Sequence, residues 1–183
     1  MLATKYADET VIHAAQIMTP DLANFVGNVH GGHVIFQVDN LAFACASRYA
    51  GTGCTSAALD RVDFFEPVHI GELLHLTARV AYAGHTTMEI DVEVEAEEIV
   101  SGARRLTNTC HFTFVALRDG HAAPVPRLMP RTRADKARYL RASERRALGL
   151  RYREERAGTA ARFDDLDEAA LDELIAADAL PDR

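Results

Sequence analysis

Residues 20–45 read Pro-Asp-Leu-Ala-Asn-Phe-Val-Gly-Asn-Val-His-Gly-Gly-His-Val-Ile-Phe-Gln-Val-Asp-Asn-Leu-Ala-Phe-Ala-Cys. A polar, glycine-rich turn runs directly into an apolar pattern. From Gly31 to Tyr49 the residues Val34, Val38, Leu41 and Cys45 recur at spacings of 4, 3 and 4, which is one stripe of an α-helix. Asp39 falls two turns into that helix, among Ile35, Val38, Leu41 and Ala42. Burying a lone carboxylate costs several kcal/mol unless it is paired. The free N–H groups at a helix start, by contrast, can hold developing negative charge. Turn and carboxylate together therefore read as a reaction site, unless Asp39 simply finds a partner inside the fold.

Outward from this stretch the apolar period changes. Val11 to Met18 reads as a short strand, joined to the helix by a polar loop, Thr19 to His30. After Gly51 and Gly53 the period falls to two. Leu74, Leu76, Ala78, Val80 and Tyr82 form one alternating row, and Met88, Ile90, Val92, Val94 and Ala96 another. Between the latter lie Glu89, Asp91, Glu93 and Glu95, which predicts an acidic solvent face. Gly84 and Ser101-Gly102 mark hairpin turns, and Leu106 to Leu117 supplies a further strand. One strand, one long helix and several antiparallel strands predict an α+β layer whose sheet wraps the helix.

The 183 residues, 48% hydrophobic and 26% charged, suit one globular domain with an appendage. A net charge of -7 argues against nucleic acid as a partner. No apolar run reaches membrane-spanning length and the first residues lack a signal-peptide core, so no membrane partner is expected and the cytoplasm is the expected location. Cys45, Cys54 and Cys110 are widely spaced and odd in number, as reduced thiols would be. Residues 1–126 carry a net charge of -8, residues 127–156 a net +7, and residues 157–183 a net -6. With Pro124, Pro126 and Pro130 at the first boundary, this predicts a core domain over 1–126 and a helical extension over 127–183. Tyr139, Leu140, Leu148 and Leu150 give the basic part an apolar side; Leu166, Leu171, Leu174 and Ile175 give the acidic part a stripe that can pair with it or with another subunit.

Three motifs carry a resemblance. They are Pro20-Asp21-x-Ala23-Asn24-x-x-Gly27-Asn28-Val29-His30-Gly31-Gly32, then Asp39 with Arg61-Val62-Asp63-Phe64 and Pro67-Val68-x-x-Gly71, and finally Ser101-Gly102-Ala103-Arg104-Arg105-Leu106-Thr107-Asn108. Over residues 10–118 the chain resembles the hotdog-fold acyl-CoA thioesterases, in the cytosolic acyl-CoA hydrolase branch that includes a two-domain brain enzyme. The resemblance implies an antiparallel sheet around one long central helix and hydrolysis of fatty acyl-CoA to fatty acid and CoA. It implies no cofactor beyond the CoA carried by the substrate. It makes Asn24 and Asp39 the catalytic pair, Asp39 as general base or nucleophile and Asn24 orienting water or the carboxylate. It also implies homodimers with sites between the helices, often assembled as three dimers in a hexamer. Asn28, His30, Gly31, Gly32 and His33 become candidates for substrate binding and the oxyanion hole, with the amide near Gly32 or His33 polarising the thioester.

Spacing supports the dimer independently. Gly32 and Asp39 share a helix face, but seven residues of rise place them about 10 Å apart. One carbonyl can hardly reach both in one subunit, whereas antiparallel helices of two subunits bring each close to the other's partner. Asp39 held by an internal partner, and Asn24 and Asn28 as ordinary turn residues, remain the structural alternatives. His30 and His33 suggest zinc, but no third ligand is nearby, so no metal is expected. Candidate CoA contacts are Arg61, Thr86, Arg104 and Arg105, with a solvated hairpin end as the alternative for the arginine pair. Strand alternation predicts that Arg104 and Arg105 face opposite ways and do not line one groove. Phe36, Phe64 and Met88 are candidates for the acyl tunnel. A hotdog hydratase, which pairs histidine with a carboxylate, and a non-catalytic acyl-CoA-binding module are the competing functions.

Overall fold

The protein is described by a computed structural model covering residues 3–177. The chain divides into two compact units, Met1–Ser143 and Glu144–Arg183. Chain order is β1 (Thr4–Tyr6), β2 (Ile12–Ile17), α1 (Gly31–Ala50), β3 (Cys54–Phe64), β4 (Leu73–Ala83), β5 (Thr87–Glu97), β6 (Arg104–Arg118), β7 (His121–Ala122), β8 (Arg127–Met129), α2 (Arg133–Asp164) and α3 (Glu168–Ala177).

Helix α1 forms where its sequence has a start, a stripe and a stop. The His30 imidazole caps the first turn, its Nδ1 accepting from the Gly32 amide at 3.0 Å. The stripe buries Val34, Val38, Leu41, Ala42, Cys45 and Tyr49. Gly51 ends the helix with φ +70°, a conformation open to glycine at no steric cost, and its N–H bonds Ser47 O. The Lys5 ammonium then donates to the last carbonyls, Arg48 O at 3.3 Å and Tyr49 O at 2.8 Å, opposite the negative end of the helix dipole.

The sheet runs β2-β4-β5-β6-β3, antiparallel throughout, with β7 added to β6. Its concave face presents Leu74, Leu76, Val80, Ile90, Val92 and Phe114, all buried, to the stripe of α1. The expected strands and helix are all present; α1, β4, β5 and β6 run a residue or two beyond their expected ends, and β2 is one residue shorter at each end than Val11 to Met18.

Two expectations need correction. The acidic row of β5 is a solvent face only in part: Glu89 and Asp91 are 4% and 9% exposed, whereas Glu93 and Glu95 are half-buried. Because β5 is central, long neighbours on β4 and β6 cover it. The Thr113 hydroxyl lies 3.0 Å from Glu89 Oε2, and His111 Nδ1 lies 2.9 Å from Asp91 Oδ1. Met88, expected in a tunnel, is fully buried in the packed core.

The first unit continues past the proline-rich boundary. β8 pairs in parallel with β1, Leu128 is buried, and Arg131 sits over the Tyr6 ring at 4.0 Å while pairing with Asp8 and Glu9. The first turns of α2 bring Tyr139 onto Tyr82, ring centroids 5.0 Å apart, and bury Ala142. In the second unit, Leu171, Leu174 and Ile175 of α3 and Phe163 at the end of α2 line one cavity.

The Tyr49 hydroxyl donates to Pro126 O at 2.6 Å, both groups being buried, and so ties the end of α1 to the segment before β8. Tyr49→Phe leaves that carbonyl unpaired and is expected to cost about 1–2 kcal/mol, lowering the melting temperature by roughly 2–8 °C in a calorimetric scan.

Candidate active site

The loop before α1 is built on Asn24. Its side-chain Oδ1 accepts from the amides of Val26 at 3.0 Å and Asn28 at 3.1 Å, while its backbone N–H donates to Asn28 O at 2.7 Å. Backbone amides only donate, so this geometry identifies the oxygen end of the side chain. The free end of Asn24 is therefore its NH2, a donor. Asn28 is held in turn by its Oδ1, 2.9 Å from His69 Nδ1. His30 N–H donates to Leu22 O and Val29 N–H to Val68 O, both at 2.9 Å.

This loop changes which amides a ligand can use. The Gly32 N–H is occupied by the His30 imidazole and the His33 N–H by His30 O at 2.9 Å. Among the described residues, nothing accepts from the Gly31 N–H, which is the donor left open at the helix start. His30 uses its Nδ1 as a cap, and His33 Nε2 lies 3.3 Å from the Gln37 side-chain nitrogen; the two histidines do not converge.

Asp39 and Asn24 border different cavities. Asp39, half-buried, lines a cleft of about 530 Å³ with Gly32, Phe36, Ser56, Leu59 and Phe112, between α1 and the edge strand β3. Asn24 lines a smaller cavity of about 190 Å³ under the helix start, with Asn28, Gly31, Phe64, Glu66 and Asn108. Of the expected tunnel residues, Phe36 thus borders the first cavity and Phe64 the second. Ser56 and Asn108 are site-lining residues that sequence reasoning did not single out. Ser56 carries no signal of its own on an exposed strand. Asn108 carries one: it is a lone polar residue in the inward row Asn108, Cys110, Phe112, Phe114, Ala116.

The candidate CoA contacts are scattered and mostly engaged. Arg61 Nε bonds both Asp63 carboxylate oxygens at 2.8 Å. Thr86 lies in the β4–β5 hairpin, at the opposite end of the sheet from Arg104 and Arg105, about 30 Å away along the strands. Arg104 pairs with Glu97 at 2.7 Å. Arg105 pairs with Glu72 and Glu66 and donates to Pro67 O. Contrary to the alternation argument, Arg104 and Arg105 both line one groove of about 550 Å³, with His69, Glu72, Ile99 and Val100. The groove lies at the hairpin end, where these long side chains start the strand and both flank the turn.

The cysteines are not available as nucleophiles. Burial pushes the Cys45 thiol up to about 12 and Cys110 to about 11, and raises Cys54 as well. Among the described residues no helix is long and apolar enough to cross a membrane.

A family model described as the thioesterase superfamily matches residues 26–103, the span that holds the helix start, Asp39 and the β4–β5 hairpin. The protein VdlD of Helicobacter pylori is 33% identical over 145 residues, covering 79% of this chain and 83% of the relative. The chain belongs to the thioesterase superfamily. An uncharacterized acyl-CoA thioester hydrolase of Bacillus subtilis (YkhA) is 31% identical over 130 residues, 70% of this chain and 76% of its own. Among solved structures, the acyl-CoA hydrolase of Staphylococcus aureus, in complex with butyryl-CoA, CoA and CoA disulfide, superposes with a TM-score of 0.81 at 28% identity. It covers 88% of this chain and 99% of its own. These hotdog neighbours agree with the sheet half-wrapping α1.

The Glu72–Arg105 pair anchors the loop that closes the smaller cavity, since Glu72 also accepts from the His69 amide at 2.8 Å. Burial alone would raise the Glu72 carboxyl, but the hydrogen bonds from Arg105 and His69 outweigh it and hold it below its ordinary value. A lowered folded-state value stabilises the fold above the ordinary carboxylate range, and that stability is lost as pH falls through the lowered value. Glu72→Gln is expected to cost about 2 kcal/mol at pH 7, and the difference from wild type should shrink toward pH 3 in urea unfolding measured across pH.

Proposed function

We propose that the protein hydrolyses fatty acyl-CoA thioesters to free acid and CoA, at active sites each assembled from two copies of the chain. The observation that carries this reading is the separation of Asn24 and Asp39 into different cavities, beside an exposed apolar edge. Strand β3 ends the sheet and is exposed along most of its length. Leu59 and Phe64 of β3, Phe65 just past its end, Phe36 and Phe43 of α1 and Phe25 of the loop before α1 are each at least 42% exposed. An exposed apolar edge strand calls for cover. A second copy, edge to edge, covers it and carries Asp39 of one chain toward Asn24 of the other.

Solved variants of the Staphylococcus aureus hydrolase support the residue choice. Variants of that hydrolase replace an asparagine, an aspartate and a threonine by alanine, at positions 15 and 17 residues apart in sequence order. Asn24, Asp39 and Ser56 have the same spacing here. Ser56, a hydroxyl in the Asp39 cleft, takes the threonine's place.

In the proposed reaction the thioester oxygen accepts from the Gly31 amide and the Asn24 NH2, the donors left open at the helix start. Asp39 of the other copy takes a proton from water as the water oxygen bonds to the carbonyl carbon. The tetrahedral intermediate expels the CoA thiolate by breaking the C–S bond, and the thiolate is protonated to the thiol. The donor character of Asn24 favours carbonyl polarisation over accepting a proton from water. Attack by Asp39 itself, through an anhydride, uses the same donors. Hexameric assembly fits a neighbour with a TM-score of 0.80, the apo-hexameric acyl-CoA thioesterase. Three unpaired cysteines suit a cytoplasmic location.

Release of free thiol from a panel of acyl-CoAs tests the reading. Asp39→Ala is expected to lower turnover at least about 10²-fold; a near-normal rate sinks the assignment, and no turnover by wild type favours a binding module. Mixing Asn24→Ala and Asp39→Ala subunits is expected to restore about a quarter of wild-type activity. Half of randomly paired dimers are mixed, and each of those has one intact site. No recovery despite proven exchange places both residues in a site within one chain.

A further inference from the structure

The side chain of Asn108 is 1% exposed, and neither its Nδ2 nor its Oδ1 has a hydrogen-bond partner among the described residues. Such a group lowers stability, and native cores rarely keep one without a reason. Its position is set by an irregularity of the sheet. On β6 the pairing with β5 slips between Val94 and Glu95, so that Val94 faces Asn108 while Glu95 faces Leu106. The extra residue, Thr107, turns inward, bonds Val94 O through its hydroxyl and lends its carbonyl to Phe65 N–H at 2.8 Å. Leu106 is turned out to 44% exposure, while Asn108 keeps the inward direction of Cys110 and Phe112. Bulges of this kind aim side chains beside active sites.

Asn108 lines the inner wall of the cavity of about 190 Å³ that Asn24, Asn28 and Gly31 also line. That space is large enough to hold water. A carboxamide offers a donor and an acceptor, which matches water and does not match an acyl chain.

We propose that Asn108 is a positioning residue that anchors water in this cavity, from which the nucleophile of thioester hydrolysis is supplied. The inference rests on the thioesterase reading above. Asn108 donates to one water and accepts from another. The chain of waters ends beside the open Gly31 amide and the Asn24 NH2, where the thioester oxygen binds. The water nearest the carbonyl loses its proton to Asp39 of the second copy; its oxygen bonds to carbon, the C–S bond breaks, and the thiolate takes up the proton. A further water from the cavity replaces the one consumed. This gives Asn108 a reason to stay polar where an aliphatic residue packs better.

The test compares wild type, Asn108→Leu and Asn108→Ser in the dimeric enzyme, by steady-state kinetics, thermal melting and hydroxylamine trapping. Leucine removes the orphaned polar atoms, so Asn108→Leu is expected to melt at or above wild type. Its kcat should fall at least 10-fold with KM within 2-fold, and its ratio of hydroxamate to free acid should rise, because hydroxylamine does not need the anchored water. The serine variant keeps a group that can hold water and should recover part of kcat; it also serves if the leucine variant fails to fold. A leucine variant with wild-type kcat overturns the inference, as does a loss expressed in KM alone, an unchanged trapping ratio, or a folded serine variant whose kcat stays at least 10-fold below wild type. If wild type releases no thiol, the thioesterase reading has failed; if wild type turns over and Asn108→Leu does too, only this inference has.

Discussion

The structure depends on burying one stripe of α1 in the concave face of the sheet. Val34, Val38, Leu41, Ala42 and Cys45 take that side of the helix, and none is more than 9% exposed. Once they are buried, the rest of the helical wheel has no freedom. Phe36, Asp39 and Phe43 must turn toward β3 and the open edge, because positions three and four apart share a face and the others do not. The placement of a carboxylate in an open cleft thus follows from the packing of its apolar neighbours. Both ends of the helix are pinned, by His30 and Gly51 inside the local sequence and by Lys5 and Pro126 from afar.

Electrostatics divides labour among the few cations of the core. Arg105 holds Glu66, Glu72 and Pro67 O, and so fixes the loop that roofs the cavity at the helix start. Arg104 and Arg61 also have carboxylate partners. A CoA diphosphate binding at any of them competes with carboxylates already in place, and Thr86 stands at the far end of the sheet. Recognition of CoA by this set therefore requires residues from more than one chain or displacement of these pairs. The cavity under the helix start is lined instead mainly by uncharged groups, among them Asn24, Asn28, Asn108 and Gly31, with Glu66 as its one carboxylate.

Much of the fold was legible. The 3.6-residue period of α1 and the two-residue period of β4, β5 and β6 are local properties, and they appear where the residues put them. Legibility failed wherever a neighbour in space decided the outcome. Glu89 and Asp91 look like solvent-facing residues, but the central position of β5 buries them. Arg104 and Arg105 alternate along their strand yet flank the same turn. At the site, Asn24 and Asp39 stood out by residue type against their surroundings, and Asn108 offered the same signal within an apolar row. Ser56 offered none, because a serine on an edge strand is ordinary until a helix carboxylate is placed across from it.

Sequence alone determined the long helix and the strands β2, β4, β5 and β6 around it, the helix face that packs, and the seven-residue rise that keeps Gly32 and Asp39 apart, because these depend on bonds and spacings within a few turns of chain. Tertiary structure decided which donors at the helix start stay open. The His30 side chain takes the Gly32 amide, and Val26 and Asn28 take the Asn24 oxygen, leaving the Gly31 N–H and the Asn24 NH2. It also decided that Asn108 reaches the same cavity, through a one-residue bulge at Thr107 that no periodicity encodes. Hydrogen bonds are directional and each donor proton serves one partner well, so their allocation is settled only when the loop has closed on the helix.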